Sequence, residues 1–210
     1  MSGPISEADR LVAGAARLGV ALSAEATLRL CRLLDELERW NRAYNLTAVR
    51  DRAAMVTLHL LDSLSVIPAL RGERIIDIGT GAGFPGLPLA IADPLRHYTL
   101  LDSNGKKIRF VQHALRALAV ANASAVHSRV EDYRPAQGFD TVVGRAFAPA
   151  ARFAAGCRHL LAPGGQILMM KGRDPGAELA QLACEWQAQI VALDVPGLDQ
   201  ARHLVRLTPR

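Results

Sequence analysis

Apolar residues recur at three- and four-residue intervals from Ser6 to about Leu70, and no strand-like alternation interrupts them. Leu30, Leu34, Leu37 and Trp40 share one helical face, and Ser6 and Ser23 stand where N-caps are needed. Asn45-Leu46-Thr47 breaks the pattern; Asp51 then caps a helix carrying Met55, Leu58 and Leu61, which Pro68 closes. Beyond residue 70 short apolar runs alternate with longer amphipathic ones. Arg74–Ile78, Tyr98–Leu101, Ala125–His127, Thr141–Val143 and Ile167–Met170 are expected strands, with helices near 86–92, 104–120, 147–161 and 175–188. That alternation predicts βαβ units and an α/β, doubly wound, mostly parallel sheet covered on both faces. Ile190–Val195 and His203–Leu207, separated by Pro196-Gly197, are expected to form a terminal hairpin. Two parts follow: a helical N-terminal extension over 1–70 and an α/β domain over 71–210.

The candidate chemistry sits where the first strand meets its helix. Asp77-Ile78-Gly79-Thr80-Gly81-Ala82-Gly83-Phe84-Pro85-Gly86 places glycines at the point where a doubly wound sheet opens its crevice. Glycine lets the backbone turn at positive φ and approach a ligand, and the following helix start offers N–H groups to an anion. Asp102 ends the next strand, in position to accept hydrogen bonds from both hydroxyls of a ribose. Two cofactors fit. Gly81-x-Gly83-x-x-Gly86 with Asp102 matches a dinucleotide fingerprint, whereas Asp77-x-Gly79-x-Gly81-x-Gly83 resembles motif I of S-adenosylmethionine-dependent methyltransferases, with Asp77 fixing the loop.

Composition narrows the setting. The 210 residues are 50% hydrophobic and 21% charged, which excludes disorder and collagen-like order. No apolar run approaches the ~20 residues of a membrane span, and Met1 to Arg10 lacks the basic start and apolar stretch of a signal peptide, so a cytoplasmic location is expected. Cys31, Cys157 and Cys184 are far apart, which argues against a disulfide framework or a cysteine zinc site; all three are expected to be structural. No histidine pair at i, i+4 with an acidic partner suggests a metal site, and none is expected. The net charge of +5 admits a polyanionic partner. Lysine occurs only as Lys106, Lys107 and Lys171, so the positive charge is nearly all guanidinium, suited to phosphate and guanine; abundant arginine also follows from base composition.

Several segments together resemble the RsmG family, also called glucose-inhibited division protein B, the bacterial 16S ribosomal RNA 7-methylguanosine methyltransferases. They are Trp40-Asn41-Arg42-Ala43-Tyr44-Asn45-Leu46-Thr47-Ala48-Val49, His59-Leu60-Leu61-Asp62-Ser63-Leu64, Asp77 to Gly86, Leu101 to Lys107, Ser128-Arg129-Val130-Glu131-Asp132, Gly144-Arg145-Ala146-Phe147 and Lys171-Gly172. The similarity covers about residues 30–172, and its first two segments lie outside any general cofactor fold. One departure is Gly144, where the family pattern has serine. The resemblance implies a Rossmann-like class I methyltransferase fold over 71–210 and S-adenosyl-L-methionine as cofactor. It implies contacts to that cofactor from Gly79, Gly81 and Phe84 in the loop, from Val130 and Glu131 beside the adenine, and from Arg145. Arg129, Arg145 and Lys171 match basic positions around the cofactor and target base and are the expected catalytic residues. The implied partner is 16S ribosomal RNA, naked or within the small subunit, with the enzyme acting as a monomer.

The missing motifs agree with that reaction. Guanine N7 has a free in-plane lone pair and needs no general base. No Asp/Asn-Pro-Pro-Tyr/Phe segment serves an exocyclic amine, and no cysteine follows a proline as a cytosine nucleophile would. His59, flanked by Leu58 and Leu60, is expected to be a packed, hydrogen-bonded histidine, and Trp40 and Tyr44 at i, i+4 are expected to pack the N-terminal helices. An NAD-dependent oxidoreductase would want a hydride-transfer dyad such as Tyr-x-x-x-Lys, which is not evident. A binding protein that has lost its cofactor is the third reading.

Overall fold

The computed structural model describes residues 6–145, 149–172, 175–179, 182 and 184–210. Ala146 and Phe147 of the matched segment, and the expected helix start at 147, lie outside the described residues.

The chain begins with α1 (Glu7–Arg17) and α2 (Ala24–Tyr44), capped as their serines suggest: Ser6 Oγ accepts the Asp9 N–H and Ser23 Oγ the Ala26 N–H. Asn45, at φ 49°, ends α2 in the left-handed region that asparagine tolerates. Asn41 then ties the following loop back onto the helix. Its Nδ2 donates to the Thr47 carbonyl and its Oδ1 accepts the Thr47 N–H, both at 3.0 Å. Asp51 caps α3 (Arg52–Met55), which runs through a π-helical stretch (Val56–Leu61) into α4 (Asp62–Leu64). Such stretches widen a helix locally and are frequent at functional sites.

The rest is a seven-stranded sheet in the order β3-β2-β1-β4-β5-β7-β6. Its strands are β1 (Arg74–Ile78), β2 (His97–Asp102), β3 (Ala123–His127), β4 (Phe139–Gly144), β5 (Leu161–Lys171), β6 (Trp186–Leu193) and β7 (Arg202–Pro209). The first five pair in parallel; β7 runs antiparallel to both β5 and β6. Helices α5 (Gly86–Ala92), α6 (Gly105–Ala117) and α7 (Ala150–Cys157) supply crossovers, and α8 (Gly176–Leu179) follows β5. Side chains alternate between two cores, as a sheet buried on both faces requires. Ile75, Val143 and Leu168 join one cluster; Ile76, Val142 and Ile167 join the other. The first cluster also holds Leu30, Leu33, Leu34 and Leu37 of α2 with Leu87 and Phe110, so the N-terminal helices share their core with that face.

Three details differ from expectation. Among the described residues the helix expected over 175–188 is the four-residue α8, and its end is strand: β6 begins at Trp186 and pairs with β7 along its whole length, from Trp186 opposite Pro209 to Leu193 opposite Arg202. Tyr44 is exposed and stacks on Trp40 at 5.3 Å, while Trp40 itself packs against Phe110 and His113 of α6. Cys184 is exposed, whereas Cys157 is buried and burial pushes its thiol up to about 12. Among the described residues no helix is long and apolar enough to cross a membrane.

Candidate active site

Strand β1 lies between β2 and β4, and the chain leaves it first toward β2 and β3 and returns to β4, so the crevice at its carboxyl end is a topological switch point. The loop after β1 is built by its glycines: Gly79 and Gly81 have φ of 68° and 61°, a region open to them for want of a Cβ. The Gly79 and Thr80 N–H groups donate to the Leu101 carbonyl at 2.8 and 3.0 Å, which stitches the loop onto the end of β2.

The two aspartates divide the work. Asp77 is buried beneath the loop; its Oδ2 accepts the Thr80 hydroxyl at 2.6 Å and the Gly86 N–H at 2.9 Å, joining loop and helix start. Burial raises its pKa to about 6 against those two donors, and its Oδ1 has no partner among the described residues. Asp102 is also largely buried: Oδ2 accepts the Gly81 N–H and Oδ1 the Asn104 N–H, both at 2.8 Å. Each oxygen keeps a lone pair for a further donor, which is the capacity a ribose diol needs.

Two pockets meet at this loop. The larger, about 460 Å³, is lined by Gly79, Asp102, Val130 and Glu131, four of the residues expected to contact the cofactor, together with Arg129, expected to be catalytic, and Lys107. Arg129 is exposed, and its guanidinium has no hydrogen bond or ion pair among the described residues. The smaller, about 190 Å³, runs under the loop between Gly79, Gly81, Phe84 and Arg145 on one side and Thr47 and His59 on the other. Gly79 and Lys107 line both.

Arg145 follows β4. Its guanidinium donates to the Leu58 carbonyl at 3.3 Å, lies 3.8 Å from Asp62 Oδ2 and stands 5.9 Å over the Phe84 ring. Asp62 is nearly fully buried and is also held by Arg202 Nε at 3.1 Å; burial outweighs both arginines and raises its pKa. His59 is the packed histidine its neighbours imply, bonded through Nε2 to Thr47 Oγ1 at 2.9 Å and stacked on Phe84 at 4.8 Å. Burial, with Arg145 nearby, lowers its pKa to about 4, so the ring is neutral at physiological pH. Lys171, at the end of β5, donates to Glu178 Oε2 at 2.9 Å and lines neither pocket. Glu178 also accepts the Ala150 N–H at 3.0 Å, and Lys171 lowers its pKa.

The structure therefore brings Gly79, Gly81, Phe84, Asp102, Arg129, Val130, Glu131 and Arg145 to one crevice, sets Asp77 beneath it and holds Lys171 outside the two pockets. Sequence reasoning did not single out Lys107 or Thr47, and it read His59 as packing alone. Their signal was present, since all three lie in segments that carry the family resemblance.

Solved structures that share this fold include methyltransferases. Aeropyrum pernix fibrillarin with bound S-adenosyl-L-methionine matches at a TM-score of 0.55 and 18% identity, over 67% of this chain and 68% of that one. The tRNA (uracil-54, C5)-methyltransferase of Pyrococcus abyssi with S-adenosyl-L-homocysteine matches at 0.56 and 21% identity, over 78% of this chain and 40% of that one. Strand order, glycine loop and the acid after β2 thus define the class I, S-adenosylmethionine-dependent methyltransferase fold. The family model for GidB, rRNA small subunit methyltransferase G, matches residues 27–205, and the chain belongs to that family. Ribosomal RNA small subunit methyltransferase G of Chromohalobacter salexigens is 51% identical over 205 residues, 97% of this chain and 98% of the relative. Its counterpart in Laribacter hongkongensis is 46% identical over 200 residues, 95% and 97% of the two chains. With the family comes the cofactor, S-adenosyl-L-methionine.

Proposed function

We propose that this protein transfers a methyl group from S-adenosyl-L-methionine to N7 of a guanine in 16S ribosomal RNA of the small subunit, acting in the cytoplasm as a monomer and without a metal. The observation that carries the reading is the joined pair of pockets. One offers Asp102 to a ribose and a wall of Val130 and Glu131 to an adenine; the other sets Lys107 and Arg145 beside the glycine loop, a pair of cations suited to the carboxylate of an aminoacyl end. The relatives' names supply the small-subunit RNA as substrate.

The cofactor supplies a methyl group on a positively charged sulfonium, which departs as a neutral thioether. Guanine N7 carries a lone pair and no proton, so no side chain has to remove one, and the neutral, buried His59 is not needed as a base. The work left to the chain is to hold N7 in line with the methyl group at near-attack distance, a positioning effect that can supply most of the acceleration. Arg129, unpaired at the rim, and Arg145, held over Phe84, are proposed to donate to the neighbouring O6 and to fix the base plane. Lys171 is proposed to complete this basic group from the end of β5, with Glu178 positioning its ammonium.

A transcript in which every guanosine is replaced by 7-deazaguanosine lacks the accepting nitrogen and keeps O6. It is expected to take up no methyl label where the ordinary transcript does. Equal uptake by both would move the reaction to another atom.

A further inference from the structure

We propose that the outer face of α6 is a binding track for RNA phosphates, leading from the cofactor crevice along the edge of the sheet. The inference rests on the RNA-substrate reading and says which surface carries the strand. Helix α6 has the sequence GKKIRFVQHALRA, with no acidic residue. Its buried side is Ile108, Phe110, Val111 and Ala114, which leaves Lys106, Arg109, Gln112 and Arg116 exposed at helical spacing on the other side. From Lys106 to Arg116 the stripe is roughly 15 Å long at the helical rise, enough to face more than one phosphate.

Charge alone marks many solvated helices, and two further observations separate this one. First, Lys106, Arg109 and Arg116 have no ion pair among the described residues and share one helix face that carries no acid; other exposed arginines, Arg10, Arg42 and Arg152 among them, also lack an ion pair there but do not line up in this way. The nearby acid, Glu36 of α2, is engaged by His113 and Arg39. Second, the stripe borders a concavity of about 550 Å³ between α6 and the end of β3, walled by Lys106, Arg109, Gln112 and His127. Asn104 lines this concavity and the cofactor pocket alike, so the two adjoin. β3 is the edge strand on that side, which leaves the groove open along its length. Guanidinium groups without internal partners, donors from Gln112, and continuity with the crevice are what a phosphate backbone requires.

The test is a salt titration of binding to an unmodified small-subunit RNA transcript by the parent, Arg109→Gln, Arg116→Gln and their double variant. Arg152→Gln, exposed on α7 over the opposite core, serves as the equal-charge control. Each released phosphate contact flattens the slope of log K against log salt by about 0.7 for a single strand, so the double variant is expected to lose about 1.4. S-adenosylmethionine affinity in all variants and the slope of Arg152→Gln are expected to match the parent. A double variant with the parent's slope would overturn the track while leaving methyl transfer by the parent intact. Loss confined to assembled subunits, with transcript binding unaltered, would assign the face to a ribosomal protein and also overturn it. A parent that neither binds nor methylates RNA would instead sink the substrate reading and the track with it.

Discussion

Asp77 and Asp102 share a side chain and differ in surroundings, and the difference sets their roles. Asp77 is fully enclosed, bonds through one oxygen to the Gly86 N–H and Thr80 hydroxyl, and has its pKa raised by burial, as befits a brace. Asp102 is also largely buried, but it lines the cofactor pocket and keeps acceptor capacity to spare. The place of Asp77 was legible because its partners, Thr80 and Gly86, lie in the same strand-loop-helix unit, whereas Asp102 meets the Gly81 N–H from the end of the neighbouring strand, 21 residues on. His59 shows what was not. Its packing was readable from Leu58 and Leu60, but its place beside the glycine loop arises only when the π-helical stretch docks on Phe84. This histidine also carries a pH prediction. Its folded pKa of about 4 lies below the ordinary value of 6.5, so the unfolded chain binds the proton more tightly. Stability from the neutral ring is therefore complete above pH 6.5 and lost as pH falls toward 4. His59→Gln is expected to be less stable than the parent at pH 7, with the gap narrowing by about 3 kcal/mol at pH 4 in denaturant titrations. Asp77 titrates with the opposite sign between its ordinary value and about 6, but it does so in both proteins and drops out of the difference. A gap independent of pH would contradict the burial of a neutral ring.

Among elements, β4 and α7 explain a departure from the family pattern. A Cβ at Gly144 would stand 2.5 Å from Cζ and 2.8 Å from Cε2 of Phe153, a buried side chain of α7. The glycine and the phenylalanine are thus complementary: the ring fills the volume the missing side chain leaves. Gly144→Ser is expected to destabilise the protein by about 1–3 kcal/mol through overpacking. In a double-mutant cycle with Phe153→Leu the two costs should fall short of additive, because the smaller side chain makes room for the hydroxymethyl. Full additivity would mean that the two residues do not share the space. Elements built on local periodicity were read well, including α2, α6 and the five parallel strands. The end of the stretch 175–188 was misread although Trp186-Gln187-Ala188-Gln189-Ile190 alternates as a strand should; that alternation is short, and the ladder with β7 is what makes β6 begin at Trp186. Tyr44 was misread because a helical spacing says which residues share a face, and here the end of that face projects beyond the core.

Across the whole molecule the two halves of the chain contribute to one site. The sheet supplies the crevice, the loop and the acids, while α2 and the π-helical stretch bring Thr47 and His59 against the loop, and Asp62, pinned by Arg202, stands beneath Arg145. The glycine loop alone left two cofactors open; the matched N-terminal segments, which the fold turns toward that loop, are what separated them. Net positive charge, guanidinium at the rim and a face of α6 without ion pairs among the described residues are all what a polyanionic partner would meet. The measurement that tests this account most directly is transfer of label from methyl-labelled S-adenosylmethionine to an unmodified small-subunit RNA, naked and in assembled subunits, followed by digestion to nucleosides. The account predicts label in 7-methylguanosine from at least one of the two substrates. Label in any other nucleoside, or none from either, would contradict it.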